Sequence, residues 1–368
     1  MRADEFLLDP DVVFLNHGSF GACPRPVFER YQEWQRELER QPVDFIGRRL
    51  RGLLADARAA LAAFVGARPD DLVFVPNATS GVNAAIRSLE LGADDEVLST
   101  NLEYGANDLL FSHLPSRYVR AEIPLPLPPN DELVDLVFAE ATERTRVLFV
   151  SHVTSETAVI LPVRAICERA RSLGILTLID GAHVPGHVPL DVEELGADVY
   201  AGNCHKWLCA PKGAGFLHVH AALQERVRPF ITGWGFEPES TFVTRHELQG
   251  TRDPSAYLTV PAALEWEAAH NTRAEGHALA VEAQQRLADL TGFAPISDPA
   301  RIGRMVSVRV PVDDAEATQA RLLDEFRIEI PVFARKTEPL LRASFAPYND
   351  ESDLDWLVTA LERVLTES

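Results

Sequence analysis

From residue 147 the chain alternates short apolar runs with amphipathic segments, and this alternation limits the fold more than any other feature. Residues 147–152, 175–180, 198–202 and 215–219 read as strands, with a helix over 163–173 and a helical turn over 192–195 between them. Parallel strands need long crossovers, and helical crossovers cover both faces of the sheet they connect. The pattern therefore predicts an α/β chain with a mostly parallel sheet. Such sheets bind ligands at the carboxyl ends of their strands. Ser155, Asp180, His183, His205 and Lys206 all fall just past predicted strand ends, on that one edge.

Lys206 stands out among them. It is one of three lysines, with Lys212 and Lys336, in a chain whose other basic side chains are arginines. Arginine keeps its proton at any working pH, whereas a lysine can become a nucleophilic amine once burial or a neighbour lowers its pKa. The sequence around it, Asn203-Cys-His-Lys-Trp, follows a predicted strand. This is where an amine that captures a carbonyl compound as a Schiff base is expected.

The upstream segments supply companions. Residues 12–15 form a short strand that runs into a glycine-rich turn at 16–21, and His17 is either a turn residue or a contributor to the site. Pro24 and Pro26 introduce a helix over 27–39, and 44–65 has apolar residues at helical spacing. A strand at 72–75 ends in Pro76-Asn77, and a helix starts at Thr79 or Ser80. Free N–H groups with two hydroxyls at a helix start form either a plain N-cap or a phosphate cradle; no Gly-Lys-Ser/Thr follows, so it is not a Walker loop. Tyr104 lies just past a strand at 96–99, as a core tyrosine or as a ring covering a ligand. Residues 124–130 read as a surface loop.

After residue 230 the texture changes to loops at 232–238 and 248–254. A long helix over 260–287 with a break near Asn271 follows. Strands at 304–310, 329–332 and 341–344 then mix with helices at 315–325 and 352–365. The expected organisation is a large ligand-binding domain over 15–255 and a smaller α+β domain formed by 1–14 and 256–368.

Composition narrows the classes. A formal net charge of −20 opposes binding to nucleic acid or an anionic membrane surface. No apolar run reaches the length of a membrane span, and the first residues lack a signal-peptide core, so a cytoplasmic protein is expected. Cys23, Cys167, Cys204 and Cys209 form neither a CxxC pair nor a disulfide framework; no metal site is expected.

An aldehyde cofactor with a pyridine ring and a phosphate needs an amine, a carboxylate for its ring nitrogen, an anion cradle and a flat neighbour. Lys206, Asp180, Thr79 with Ser80, and Tyr104 provide candidates for each. At these residues the sequence becomes recognisable. Asp180-Gly-Ala-His, His205-Lys206 and Asn77-Ala-Thr-Ser-Gly resemble the class V aminotransferase family of pyridoxal 5′-phosphate (PLP) enzymes, of fold type I. The segments Leu15-Asn-His-Gly-Ser-Phe-Gly, Ser151-His-Val-Thr-Ser and Val159-Ile-Leu-Pro-Val look most like the isopenicillin N epimerase and C–S lyase branch.

The resemblance implies a large domain with a seven-stranded-type sheet sandwiched by helices. It implies that Lys206 carries the cofactor and shuttles the Cα proton, and that Asp180 pairs with the pyridinium nitrogen. His183 and Ser155 fall near the ring hydroxyl. Tyr104 stacks on the ring. Ala78, Thr79, Ser80, Asn203 and His205 lie at the phosphate. Thr251 matches a residue reaching the partner subunit's phosphate, which implies a homodimer with sites at its interface. Arg342 matches the clamp for the substrate carboxylate, with Asn16 and His17 nearby. Related desulfurases carry a sulfur-accepting cysteine in the C-terminal domain, and no cysteine follows Cys209, so a persulfide route is not expected. The expected activity is Schiff-base chemistry at Cα of an amino acid, as an epimerase or C–S β-lyase. An amino-acid aminotransferase is the alternative, and a catalytically silent PLP-binding scaffold a distant one.

Overall fold

The computed structural model describes residues 3–335 and 338–367; Lys336 lies outside the described residues. After a 3₁₀ turn at Ala3–Glu5 the chain forms a short strand, β1 (Val13–Phe14). Helices Arg25–Arg40 and Leu50–Val65 follow, the first opened by prolines whose fixed φ suits a helix start. It then enters the main sheet through β2 (Leu72–Val75), β3 (Glu96–Thr100), β4 (Arg117–Ala121), β5 (Thr145–Ser151), β6 (Leu176–Gly181), β7 (Val199–Asn203) and β8 (Gly215–Val219).

These seven strands lie in the order β2-β8-β7-β6-β5-β3-β4. Only β8 runs against its neighbours; the other pairings are parallel. The carboxyl ends of all strands but β8 therefore share one edge. Successive side chains of a strand face opposite ways, and β5 shows the consequence. Leu148 and Val150 join the core on one face, while Val147 and Phe149 join the core on the other. Burial on both faces explains why these strands read as continuous apolar runs.

The second unit is built on β9 (Met305–Arg309), β10 (Ile328–Glu329), β11 (Val332–Phe333) and β12 (Leu340–Ser344). β11, β12 and β9 form an antiparallel sheet, and β10 pairs in parallel with β1. Helices Arg273–Thr291, Ala315–Phe326 and Glu351–Thr366 close its core, which includes Leu287, Leu322, Leu341, Leu357 and Leu361. Leu15 belongs to this small core. Ala256, Tyr257, Leu258, Val260, Ala263 and Trp266 pack into the large one, beside Leu54 and Leu61. Asn271, with a left-handed φ of 37°, separates helix Val260–His270 from helix Arg273–Thr291.

Leu361 is fully buried in the small core. Leu361→Ala is expected to destabilise the protein by about 2–5 kcal/mol, as for other buried leucines truncated to alanine, measured by urea unfolding; a loss under about 0.5 kcal/mol would contradict this packing.

Candidate active site

The shared strand edge gathers the polar residues because each strand stops there. β6 ends in Asp180-Gly181, β7 in Asn203, and β5 in Ser151. Beyond β7 the chain turns through Cys204 and His205 to Lys206. Helix Ala78–Ser88 begins after β2, and helix Gly105–Ser112 begins after Tyr104. Between them lies a cavity of about 200 Å³ whose wall includes Thr79, Tyr104, Ser155, Asp180, His183 and Lys206. The N-terminal turn closes one side of it with Ser19 and with Phe20, which is 73% exposed.

Lys206 and Asp180 set the electrostatics. Burial, and then the positive charge of Arg342, push the Lys206 amine down from the ordinary 10.5 to about 7, while Asp180 acts in the opposite direction. The Lys206 Nζ lies 3.1 Å from His183 Nε2. Asp180 is buried and accepts hydrogen bonds from Asn107 Nδ2 and from the Ala182 backbone N–H, each at 2.9 Å. Burial raises its pKa, and these two donors and Lys206 oppose the rise. Two donors leave further lone pairs on this carboxylate for another N–H. Burial also drives His183 well below its usual range, helped by the charges of Lys206 and Arg342.

At the helix start, Asn77 caps Ser80 through a 2.8 Å bond from the Ser80 N–H, and the Ala78 N–H donates to Asn203 Oδ1 at 2.8 Å. These two N–H groups are thus engaged by asparagine side chains. Thr79, Asn203 and His205 line the cavity. His205 Nδ1 donates to the Ala214 carbonyl at 2.8 Å, and burial lowers its pKa to about 4.

Arg342, on β12, reaches this edge from the small unit. It is 1% exposed, sits behind Ser155 and Ser19, and is not itself in the cavity wall. Its Nη1 donates to the Ser155 carbonyl at 2.7 Å, its Nη2 to Ser19 Oγ at 3.1 Å, and its Nε has no partner among the described residues. Asn16 and His17 lie behind the turn. Asn16 accepts from Ser19 Oγ at 2.5 Å and donates to Glu329 at 2.9 Å. His17, fully buried, bridges the Tyr348 hydroxyl and the Lys206 carbonyl at 2.9 and 3.0 Å. Gly21 takes a φ of +71°, and a Cβ there would strike the backbone of His205 and Lys206, so the turn lies directly on the lysine loop. Thr251 is exposed in a loop and does not line the cavity.

Several contributors carry no signal in the sequence. Asn107 holds Asp180. Glu103, 5% exposed, accepts from the Ser151 N–H at 2.8 Å, from its hydroxyl at 2.6 Å and from the Thr100 hydroxyl at 2.7 Å. Burial pushes its carboxyl up to about 7 despite these donors. In the sequence both are ordinary polar residues after a strand. Among the described residues no cluster of His, Cys, Asp or Glu could hold a metal ion. No described helix is long and apolar enough to cross a membrane.

Comparison with known proteins follows the same lines. The family model described as Aminotransferase class-V matches residues 21–357. Isopenicillin N epimerase of Amycolatopsis lactamdurans is 38% identical over 387 residues, spanning 98% of this chain and 97% of that protein. The probable chloroplastic L-cysteine desulfhydrase of Arabidopsis thaliana is 29% identical, spanning 98% and 84%. Among solved structures, the cysteine desulfurase CsdA from Escherichia coli superposes with a TM-score of 0.82 at 25% identity, covering 100% of this chain and 98% of that one.

In the ligand-free chain, modification of Lys206 by an amine reagent is expected to be half-maximal near pH 7. Arg342→Gln removes a positive charge and is expected to move that midpoint upward. An ordinary lysine midpoint in the wild type, or no movement in the variant, would contradict these electrostatics.

Proposed function

The chain belongs to the class V aminotransferase family, it is a PLP-dependent enzyme, and on that premise we propose that it handles the Cα proton of an α-amino acid in the manner of an epimerase. The residues fit the cofactor. The buried carboxylate of Asp180 retains acceptor capacity after its two bonds, which suits a pyridinium N–H. An amine held near neutrality suits attack on an aldehyde. Thr79, Asn203 and His205 surround the start of a helix, where an anion is favoured.

In this reading PLP supplies an electron sink that makes the Cα–H bond acidic. Lys206 Nζ would hold the cofactor through its aldehyde and would move the proton at Cα. Asp180 keeps the ring nitrogen protonated. His183 and Ser155 would bond to polar groups beside its ring, and Ala78, Thr79, Ser80, Asn203 and His205 would surround its phosphate. Arg342 draws in the substrate carboxylate, with Ser155 and Ser19 now occupying its Nη groups. A carboxylate would replace neutral acceptors by charged ones, which strengthens the hydrogen bonds. Asn16 and His17 hold the turn that carries Ser19 and brace the lysine loop, and so act on the substrate indirectly.

One observation carries the choice of epimerisation. Lys206 follows β7 and Tyr104 follows β3, on opposite flanks of the Asp180 strand, and both line one cavity. Epimerisation needs a proton removed on one side of Cα and returned on the other. The amine and the phenol are the pair available for it. C–S β-elimination is the second reading. It is favoured by the similarity to the L-cysteine desulfhydrase, and the absence of any cysteine after Cys209 fits an elimination without a persulfide carrier. A cytoplasmic homodimer completes the proposal, with Thr251 reaching from each exposed loop to the partner's phosphate site.

A panel of amino acids and cysteine conjugates, followed in parallel for Cα deuterium exchange with inversion, pyruvate release and keto-acid formation, separates the readings. Inversion without pyruvate is expected; keto-acid formation alone would overturn both. On the substrate so found, Arg342→Ala is expected to raise KM by the equivalent of about 2–5 kcal/mol, typical for one partner of a lost buried charge pair. An unchanged KM would place the carboxylate elsewhere.

A further inference from the structure

Behind the lysine loop lies a packed group of rings that the proposed chemistry does not use. Trp207 is fully buried. The His187 ring stacks on it at 4.3 Å, the guanidinium carbon of Arg304 lies 4.7 Å from its ring centroid, and the His17 ring packs at 4.8 Å. A ring so enclosed keeps one orientation. That orientation directs its Nε1–H at His183 Nδ1, 3.4 Å away.

An indole N–H is a donor only. His183 Nδ1 must therefore present its lone pair. The imidazole is neutral, since burial and the charge of Arg342 oppose its protonation. Its single proton is then on Nε2, the atom 3.1 Å from Lys206 Nζ. Donation from Nε2–H to that nitrogen requires a lone pair on the amine, so this geometry favours the neutral lysine. His187 is fixed by the same logic. Its Nε2 accepts the Arg304 backbone N–H at 2.5 Å, so its Nδ1–H donates to the His183 carbonyl at 2.8 Å. The ring and the backbone of His183 are thus both tied to this cluster.

We propose that Trp207 is a positioning residue whose indole N–H fixes His183 as the Nε2–H tautomer, so that His183 acts toward Lys206 and the bound ring only as a hydrogen-bond donor. His183 is then excluded as the base at Cα, and proton transfer on that flank belongs to Lys206 alone. The proposal rests on the reading of Lys206 as the cofactor amine, but the tautomer is read in the cofactor-free chain, so the two can fail separately.

The experiment uses cofactor-free protein with ¹⁵N-labelled histidine, the His183 signals being assigned by their loss in His183→Gln. The wild type is expected to show a protonated Nε2 and an unprotonated Nδ1. Two variants keep a ring and remove the donor: Trp207→Phe, and Trp207→benzothienylalanine, which preserves the bicyclic shape should the smaller ring fail to fold. Either is expected to admit the Nδ1–H tautomer. The bare Nε2 then accepts from a Lys206 ammonium and raises the amine's pKa. A one-unit rise from about 7 slows amine modification at pH 7 roughly fivefold. The charged groups facing the pair, Asp180 and Arg342, are unchanged in these variants. A protonated Nδ1 in the wild type, or variants with unchanged tautomer and unchanged modification rate, would overturn the proposal.

Discussion

The structure depends on keeping one amine out of water, with its pKa brought down to about 7. A lysine at the mouth of a sheet would normally stay charged. Here burial and the Arg342 guanidinium hold Lys206 near neutrality, and Asp180 limits how far the shift goes. This balance joins the two units. Asp180 and the lysine loop come from the large sheet, and Arg342 comes from β12 of the small one. Each charge is costly to bury alone. The side chains around them supply the compensating bonds: Asn107 on Asp180, Ser155 and Ser19 on Arg342.

The N-terminal turn is what closes the arrangement. Its strand β1 is paired into the small unit through β10, and from there Asn16–Gly21 crosses to the lysine loop. His17 donates its Nε2–H to the Lys206 carbonyl, and Gly21 lies where any side chain would displace that backbone. A shift of the small unit would therefore be felt at Lys206 from two directions, through Arg342 and through this turn. Such coupling gives a physical reason for a charge bound in the small unit to influence the chemistry at the large one.

Much of this was legible in the sequence because the features are periodic or chemically exclusive. The strands β5 to β8 are buried apart from Arg146 and half-buried Leu176 and read as apolar runs, and Asn271 betrayed the break between two helices. Lys206 and Asp180 were legible because few residue types can do the work proposed for them. Edge strand β4 was not. Arg117–Ala121 carries two arginines and is half exposed, so its pairing with β3 is a tertiary outcome that local pattern does not encode. The helix Asn130–Phe138 was likewise hidden behind a proline-rich stretch read as a loop. The strand read over 329–332 is two short strands, β10 and β11, serving different sheets. Within the site, Glu103, Asn107, Ser19 and Trp207 are named only by what they touch. A residue that acts by holding another has no motif of its own. Sequence also placed Asn16 and His17 at the substrate by position in a motif, whereas their side chains point to Glu329, Tyr348 and the lysine backbone.

The central claim is that Lys206 is the amine that carries the cofactor. Reconstitution with PLP, reduction with borohydride and peptide mapping test it most directly. The account predicts a single reduced adduct on Lys206, absent from Lys206→Ala. An adduct of normal yield in that variant, or one mapped to Lys212 in the wild type, would contradict it.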